Sequence, residues 1–254
     1  MESTVIVYHM KAKSTICFDG FMSAALLWRK YKNTALYLQG FYHERLPIES
    51  FVGKDVIFAD FSYPAAYMDD IASVSKSLLV LDHHDTAKVL EDKPYATIDM
   101  SMCGCLLVWK HLYGQVDPPL AVRYIDDGDR FTLTMPNARE FLSTLSLEEK
   151  DFEAWANLLT LTKEKIDQYI ETGHAILALN DLRTEELAAE CFPITSRDSF
   201  QGSIPLYNLR CCSCYFTRRV RHFSRSESIF AGSFLPENFR PNASAHNSSG
   251  DLRA

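Results

Sequence analysis

The sequence predicts an α/β fold, with a mostly parallel sheet and helices on both of its faces. Short apolar runs alternate along the first half of the chain with amphipathic stretches whose apolar residues keep helical spacing. Such an alternation of strand and helix is typical of parallel strands joined by crossover helices. At 254 residues, the chain is also long enough to bury the core that such a sheet requires.

The predicted strands are short and mostly apolar. Residues 78–81 are four consecutive apolar residues, as expected for a strand that is covered on both faces. The five strands cover residues 4–8, 35–41, 55–61, 77–82 and, with a weaker pattern, 95–99.

Helical periodicity fills the intervals between these strands. In the first interval Phe21, Ala24, Ala25 and Trp28 recur on one face, and in the second Pro64 occupies a favoured first helical position. The predicted helices cover residues 21–31, 64–74, 103–113 and 122–129. Beyond them the helical pattern continues without a strand over 137–192, where 163–189 reads as one long helix, and a further strand is predicted at 203–207.

The composition narrows the function classes only in part. A 47% apolar and 23% charged chain is typical of a soluble globular protein. No apolar run approaches the roughly 20 residues that span a bilayer, and the N-terminus has no signal-peptide pattern. The net charge of −7 argues against a non-specific coat for nucleic acid. Seven cysteines without a secreted framework indicate a reducing, intracellular setting, so we expect a cytoplasmic protein.

Ligand-type side chains stand at the ends of three predicted strands. Asp82, His83 and His84 follow one strand, Asp60 follows a second, and His9 follows a third. The carboxyl ends of parallel strands meet at one edge of the sheet, where open α/β folds place their ligand sites. Because imidazole and carboxylate groups hold catalytic divalent ions, the sequence predicts a metal site at this edge.

The two adjacent histidines allow more than one arrangement. A strand-end histidine pair can simply be a hydrogen-bonded polar cap, but its coincidence with His9 and Asp60 favours metal binding. Neighbouring residues on an extended chain point to opposite sides. We therefore expect one histidine to ligate and its neighbour to reach a substrate phosphate, while Asp82 orients one of the rings.

The remaining acidic candidates have structural alternatives. Asp60 could cap the next helix, but Ser62 is already placed to cap the helix at Pro64, which favours a ligand role for Asp60. Asp19 could merely be an acid at a helix N-terminus, beside Gly20, which permits a turn that most residues resist. Its place in the first strand-to-helix loop makes it a ligand candidate.

An acidic cluster near residue 126 is the best further supplier of oxygen ligands. Its three carboxylates form either a solvated turn or part of the metal site. They are Asp126, Asp127 and Asp129.

These motifs resemble those of the DHH phosphoesterase superfamily, in the branch whose first motif reads tyrosine-histidine, a short loop, then cysteine-x-aspartate-glycine. The resemblance covers about residues 4–142, and four motifs occur in the family's order. The matching segments are Tyr8-His9 with Cys17-Phe18-Asp19-Gly20, then 55–62, Leu81-Asp82-His83-His84 and 124–129, together with 98–107.

The resemblance implies a two-metal phosphoester hydrolase that is loaded with two Mn²⁺ ions, for which Mg²⁺ or Co²⁺ could substitute. Asp60 would bridge the two ions, and the other ligands would divide between them. The residues carried over as ligands are His9 for one ion, Asp19, His83 and Asp129 for the other, and Asp60 for both.

The resemblance also assigns catalytic roles, and the sequence departs from the family at Cys17. His84 would contact the substrate phosphate, with Asp82 beside it. In most of the superfamily the position of Cys17 is an aspartate, and manganese prefers such oxygen ligands to a thiol.

Three segments are predicted on the same basis. Residues 1–135 would form the catalytic α/β domain, 136–192 a helical connector, and 193–254 an incomplete substrate-binding domain with a disordered tail. The family's closing domain carries a glycine-rich stretch that ends in histidine, and nothing in 200–254 resembles it. We therefore expect a truncated, alternatively spliced or frameshifted end.

The leading functional hypothesis is a metal-dependent phosphodiesterase of exonuclease or oligoribonuclease type. Its substrates would be short nucleic acids or other small phosphoesters, with no membrane partner. The alternatives are a catalytically weak family member that binds metal or nucleotide, and a pyrophosphate or polyphosphate hydrolase.

Overall fold

The computed structural model of the protein describes residues 3–190, 193–195 and 205–207. These residues belong to one compact unit, Met1–Tyr207. The predicted fold class is confirmed, because a mostly parallel sheet carries helices on both faces. The sequence features that we interpreted in 208–254, including the predicted disordered tail, lie outside the described residues.

Five parallel strands form the main sheet, and all five were predicted. In chain order the strands are β1 (Thr4–Ala12), β2 (Thr15–Ile16), β3 (Ala35–Gly40), β4 (Asp55–Ala59), β5 (Ser77–Asp82) and β6 (Ala96–Ile98). The parallel order across the sheet is β3-β1-β4-β5-β6. The short β2 folds back antiparallel on the end of β1, which therefore extends beyond its predicted limit.

The strand order creates a crevice at the edge of the sheet. The chain leaves β1 for β3 on one side and then returns to place β4 on the other side of β1. Connections from β1 and β4 therefore diverge at their carboxyl ends, and open α/β sheets bind ligands at such a switch point. Tyr8 of β1 lies in register with Ala59 of β4, so His9 and Asp60 follow side by side.

Four helices connect or flank these strands close to their predicted positions. They are α1 (Phe18–Tyr31), α2 (Ala65–Val74), α3 (Gly104–Tyr113) and α4 (Leu120–Asp129). The first begins three residues before its predicted start, so Asp19 lies in its first turn and not in a loop. The second begins one residue later than predicted, with Pro64 at the position before the helix.

Alternate residues of β1 serve the two faces of the sheet, as the period of an extended strand requires. Val5 and Val7 belong to a buried cluster that includes Ile71 of α2. Ile6 and Tyr8 belong to a second cluster, which contains the buried residues of α1, α3 and α4. The sheet is therefore held between two apolar layers, and its edge carries the polar site.

The helices after residue 135 extend the second of these clusters. They are α5 (Ala138–Leu145), α6 (Phe152–Asn157) and α7 (Lys163–Glu190), of which α7 confirms the predicted long helix. Phe141, Leu145 and Trp155 are fully buried in the same cluster as Ile6. The boundary predicted at residue 135 stays a prediction about domain organisation, although the core is continuous across it.

The last described residues form a short antiparallel pair, β7 (Pro193–Thr195) with β8 (Pro205–Tyr207), and β8 lies within the strand predicted at 203–207. Among the helices that the structure describes, none has the length and apolarity to cross a bilayer.

The continuous core makes a testable prediction. Leu145 is 0% exposed and Leu147 is 66% exposed. We expect Leu145→Ala to lower the free energy of unfolding by about 2–5 kcal/mol, because it leaves a cavity, and Leu147→Ala to change it by at most about 0.5 kcal/mol. In denaturant unfolding followed by circular dichroism, the signals of helix and sheet should be lost in one transition, and Leu145→Ala should move the midpoint of that whole transition. A separate transition that alone responds to Leu145→Ala would contradict the shared core.

Candidate metal centre

Asp60 occupies the centre of the polar site. It follows β4 directly and adopts a left-handed backbone conformation with φ of 57°. Aspartate tolerates this region better than most residues, and the turn ends the strand at the edge of the sheet. The residue is only 1% exposed. A buried carboxylate is costly unless charged or polar partners surround it, so its surroundings are informative.

Four side chains contact the two oxygens of Asp60. On one side, Oδ2 lies 3.3 Å from Nδ1 of His9 and 3.7 Å from Sγ of Cys17. On the other side, Oδ1 lies 3.1 Å from Nε2 of His83 and 3.8 Å from Nδ1 of His84. The carboxylate therefore connects residues delivered by β1, by the start of α1 and by the end of β5.

The first potential ligand group contains Asp60 and two histidines. One ligand atom from each of His9, Asp60 and His84 lies within 4.8 Å of the others. Aromatic rings hold His9 in place, with Phe61 stacked at 5.9 Å and Tyr42 edge-on at 5.1 Å. Tyr42 was not singled out from the sequence, because it belongs to no recognised motif.

The second potential ligand group meets Asp60 through His83. Nε2 of His83 is 3.4 Å from Oδ2 of Asp19 and 3.4 Å from Oδ2 of Asp129. These three residues again offer ligand atoms within 4.8 Å of one another. Asp129 ends α4, and its side chain is 28% exposed, whereas Asp19 is buried. His84 thus belongs to the first group and His83 to the second. The expectation that the two rings point to opposite sides is wrong, because they lie 4.5 Å apart and both approach Oδ1 of Asp60.

Asp82 stabilises the turn that carries both histidines. Its Oδ1 accepts hydrogen bonds from the backbone N–H groups of His83 and His84, at 2.7 and 3.2 Å, and lies 2.7 Å from Nδ1 of His84. Its Oδ2 accepts from the Ser62 hydroxyl at 2.7 Å. The prediction that Ser62 caps the second helix is wrong, because this hydroxyl is directed to Asp82 and no side-chain cap is found on α2.

Asp19 anchors α3 against the site. Its two oxygens accept backbone N–H groups of Gly104 and Cys105, at 2.6 and 2.5 Å, from the first turn of that helix. The helix N-terminus favours a negative charge there. Asp19 and the thiols of Cys103 and Cys105 also form a third set of potential ligands, which the sequence reasoning missed. Their spacing in the chain carried no recognisable motif of its own.

Two glycines allow the elements of the site to approach closely. A Cβ on Gly104 would lie 2.4 Å from Cβ of Asp60, so only glycine lets α3 reach the carboxylate. A Cβ on Gly20 would lie 2.3 Å from the carbonyl oxygen of His9. The turn predicted at Gly20 is wrong, because this residue is helical and has no positive φ. The lack of room for a side chain, and not the backbone freedom of glycine, explains why a glycine occupies this position.

Only one residue of the 126–129 cluster faces the site. Asp126 pairs with Arg130 and accepts the N–H of Cys103, whereas Asp127 accepts hydrogen bonds from the loop at Thr132 and Thr134. Both of these carboxylates have structural roles. Asp129 is therefore the residue of this cluster that the structure brings to His83.

The electrostatics of the site reflect its crowded carboxylates. Burial disfavours ionisation of Asp60, yet His83 and His9 outweigh it and hold the pKa of this carboxyl below its usual range. Burial and the neighbouring Asp60 and Asp129 raise the pKa of Asp19. Burial also opposes a charge on His83, but Asp60, Asp19 and Asp129 together raise its pKa to about 9. Burial, then the same carboxylates, raise the pKa of the Cys17 thiol.

Two buried atoms at the centre of the site lack hydrogen-bond partners within the part of the chain that the structure describes. They are Oδ1 of Asp60 and Nε2 of His83, which face each other without hydrogen-bond geometry. Unsatisfied buried polar atoms are rare in native proteins and require an explanation. Carboxylate and imidazole donors arranged in two groups fit divalent transition ions, so the residues are suited to the metals that the sequence resemblance implies.

Comparisons with known proteins add distant similarities. No protein-family model matches the chain. An uncharacterized protein of Acanthamoeba polyphaga mimivirus is 27% identical over 222 residues, or 80% of this chain and 51% of the viral protein. The chain thus spans about half the length of the curated relative that it matches.

Two solved structures resemble the fold weakly. An uncharacterized protein from Helicobacter pylori has 13% identity and a TM-score of 0.42, covering 77% of this chain and 73% of that chain. A pGpG-specific phosphodiesterase, PggH from Vibrio cholerae, has 14% identity and a TM-score of 0.43, covering 79% and 71%. Similarity at this level leaves the function to be argued from the site itself.

The raised pKa of His83 predicts a pH-dependent metal affinity. Below about pH 9 this imidazole carries a proton in the metal-free protein, and a ligating nitrogen must lose it. We therefore expect Mn²⁺ affinity to rise roughly tenfold per pH unit from pH 7 towards 9, if one proton is released per ion at this group. Calorimetry in buffers of different ionisation enthalpy measures that release. Equal affinities at pH 7 and 8.5 in the wild type would contradict the assignment, and His83→Gln should lose most of the dependence.

Proposed function

We propose that this protein is a divalent-metal-dependent phosphoester hydrolase that acts on short oligonucleotides or small phosphodiesters. The observation that carries the proposal is the position of Asp60. One buried carboxylate contacts both groups of potential ligands: it shares the first group with His9 and His84, and its Oδ1 lies 3.1 Å from Nε2 of His83 in the second. Carboxylates that can reach two ions are what two-metal phosphoester hydrolysis requires.

Each residue has a specific part in this proposal. Asp60 would contact both ions, and the remaining ligands would hold one ion each. His9 would serve the first ion, while Asp19, His83 and Asp129 would serve the second. Two Mn²⁺ ions, or Mg²⁺ or Co²⁺ in their place, would supply Lewis acidity to an attacking water and neutralise the charge of the phosphate.

His84 is the best candidate for contact with the substrate. Its side chain is 28% exposed, compared with 10% for His9 and 11% for His83. Burial opposes a charge on this ring, but Asp82 and Asp60 raise its pKa. Because Nδ1 is held by Asp82, Nε2 of a protonated His84 is free to donate a hydrogen bond to a phosphate oxygen. Asp82 would position this ring through that bond.

A second candidate function is a weak or inactive enzyme that binds metal or nucleotide without turnover. The observation that favours it is the thiol of Cys17, which faces Oδ2 of Asp60. The family that the sequence resembles usually has a carboxylate at this position. Its raised pKa keeps this thiol protonated, so it would add no negative charge to the site.

Hydrolysis assays on a short oligoribonucleotide and on polyphosphate, each with Mn²⁺, test the proposal. We expect the oligoribonucleotide to be cleaved, and Asp60→Asn and His83→Ala to lower kcat/KM by at least about a hundredfold, because loss of a ligand should exceed the 10–100-fold cost of losing a supporting residue. Asp70→Asn and His174→Ala are matched controls on the exposed surface. These control variants should retain wild-type rates.

The outcomes distinguish the candidates. Cleavage of polyphosphate alone would favour the pyrophosphate or polyphosphate alternative. Metal binding without hydrolysis of either substrate would favour the inactive binding protein. Unchanged hydrolysis in Asp60→Asn and His83→Ala would show that the reaction occurs elsewhere in the protein.

A further inference from the structure

A cleft of about 450 Å³ lies beside the candidate metal centre. Its walls include Tyr42, Ser62, Tyr63, Thr86 and Val89, together with the start of α2. This volume falls within the usual range for small-molecule sites, which is about 300–1,000 Å³. The mechanism proposed above does not use this cleft.

The cleft is continuous with the residues that hold the first ligand group. The ring of Tyr42 lies 5.1 Å from the ring of His9 and 5.8 Å from that of His84. The Ser62 hydroxyl bonds to Asp82, which in turn holds His84. The cleft is therefore within reach of a molecule whose phosphate contacts His84.

The walls of the cleft select against a highly charged ligand. Its lining residues are aromatic, hydroxylated or aliphatic, and none carries a charge at neutral pH. The tyrosine hydroxyls are neutral at this pH as well, because tyrosine ordinarily titrates at about pH 10. A polyphosphate chain would find no cation along these walls. A neutral, planar group would find an aromatic surface and hydroxyl groups for hydrogen bonds.

Two exposed residues indicate that such a planar group can enter. Tyr42 is 42% exposed and Val89 is 64% exposed, although both are apolar over most of their surface. Nucleobases stack on exposed aromatic side chains in proteins that bind single strands. The exposed Thr86 adds a hydroxyl that could contact the sugar or the edge of a base.

We propose that this cleft binds the nucleobase of the nucleotide whose phosphate lies at the metal centre. The inference rests on the proposed function and deepens it, because it assigns the substrate to the nucleotides and not to the inorganic polyphosphates. Tyr42 provides the stacking surface, and the exposed Val89 also lines the cleft.

Paired substrates that differ only in the base test the proposal. One substrate is an intact dinucleotide. It is compared with two abasic versions, each of which lacks the base at one of the two positions. We expect wild-type kcat/KM to fall by about tenfold to a hundredfold when the base in the cleft is missing, as the loss of one stacking contact predicts. Tyr42→Ala should lower kcat/KM for the intact dinucleotide by a similar factor and abolish the preference for the base.

Substitutions at two exposed valines separate a charge placed in the cleft from a charge placed elsewhere on the surface. Val89→Glu places a carboxylate on the rim of the cleft, whereas Val52→Glu places one at a position of similar exposure that does not line it. We expect only Val89→Glu to reduce the preference for the intact dinucleotide. Equal rates on the intact and both abasic dinucleotides in the wild type would overturn the base site and leave the proposed hydrolase standing.

A binding experiment separates this proposal from the failure of hydrolysis. Saturation-transfer NMR with adenosine and with ribose, on the metal-free protein, reports contact without turnover. We expect transfer to the base protons of adenosine, and its loss in Tyr42→Ala but not in Val52→Glu. If no dinucleotide is cleaved, the hydrolase proposal fails, and base transfer still supports the site. Absence of transfer to adenosine would overturn it.

Discussion

The buried carboxylate of Asp60 is the constraint around which the rest of the site is organised. An anion that is 1% exposed must be offset by partners, because desolvation alone costs several kcal/mol. His9 and His83 approach its two oxygens, yet one of those oxygens still lacks a hydrogen bond within the described part of the chain. The proposed pair of cations would balance this oxygen and the carboxylates of Asp19 and Asp129 next to it.

The parallel sheet explains how such a constraint is met. β1, β4 and β5 end at one edge in matched register, so His9, Asp60 and His83 arrive together without any long loop. The helices complete the arrangement from the outside. Asp19 of α1 accepts the N-terminal N–H groups of α3, whose Gly104 permits contact with the Asp60 backbone. Local conformation, sheet topology and the candidate chemistry are therefore parts of one geometry.

Much of the fold was predictable, because it depends on periodicities that a single sequence displays. All five parallel strands and the long helix at Lys163–Glu190 followed from apolar patterns. Helix starts were less accurate, since caps depend on contacts as well as on residue type. Ser62 was expected to cap α2, but the buried Asp82 was a stronger partner for its hydroxyl. Gly20 was interpreted as a turn residue, but a glycine is needed there because any side chain would collide with the carbonyl oxygen of His9.

The site was predictable where motifs lie at strand ends and not where tertiary packing supplies the residue. His9, Asp19, Asp60, His83 and Asp129 were chosen from the sequence, and the structure brings them together. Whether they bind metal stays a prediction. Tyr42 was missed because only the folded chain brings its ring against those of His9 and His84. Both histidines are more than 30 residues away from it in the sequence. No local pattern could have indicated that contact.

Anomalous diffraction from crystals grown with Mn²⁺ tests the central claim most directly. We expect two manganese peaks, one within bonding distance of Oδ2 of Asp60 and of His9, and the other within bonding distance of Oδ1 of Asp60 and of Asp19, His83 and Asp129. A single peak, or peaks that do not contact Asp60, would contradict the claim.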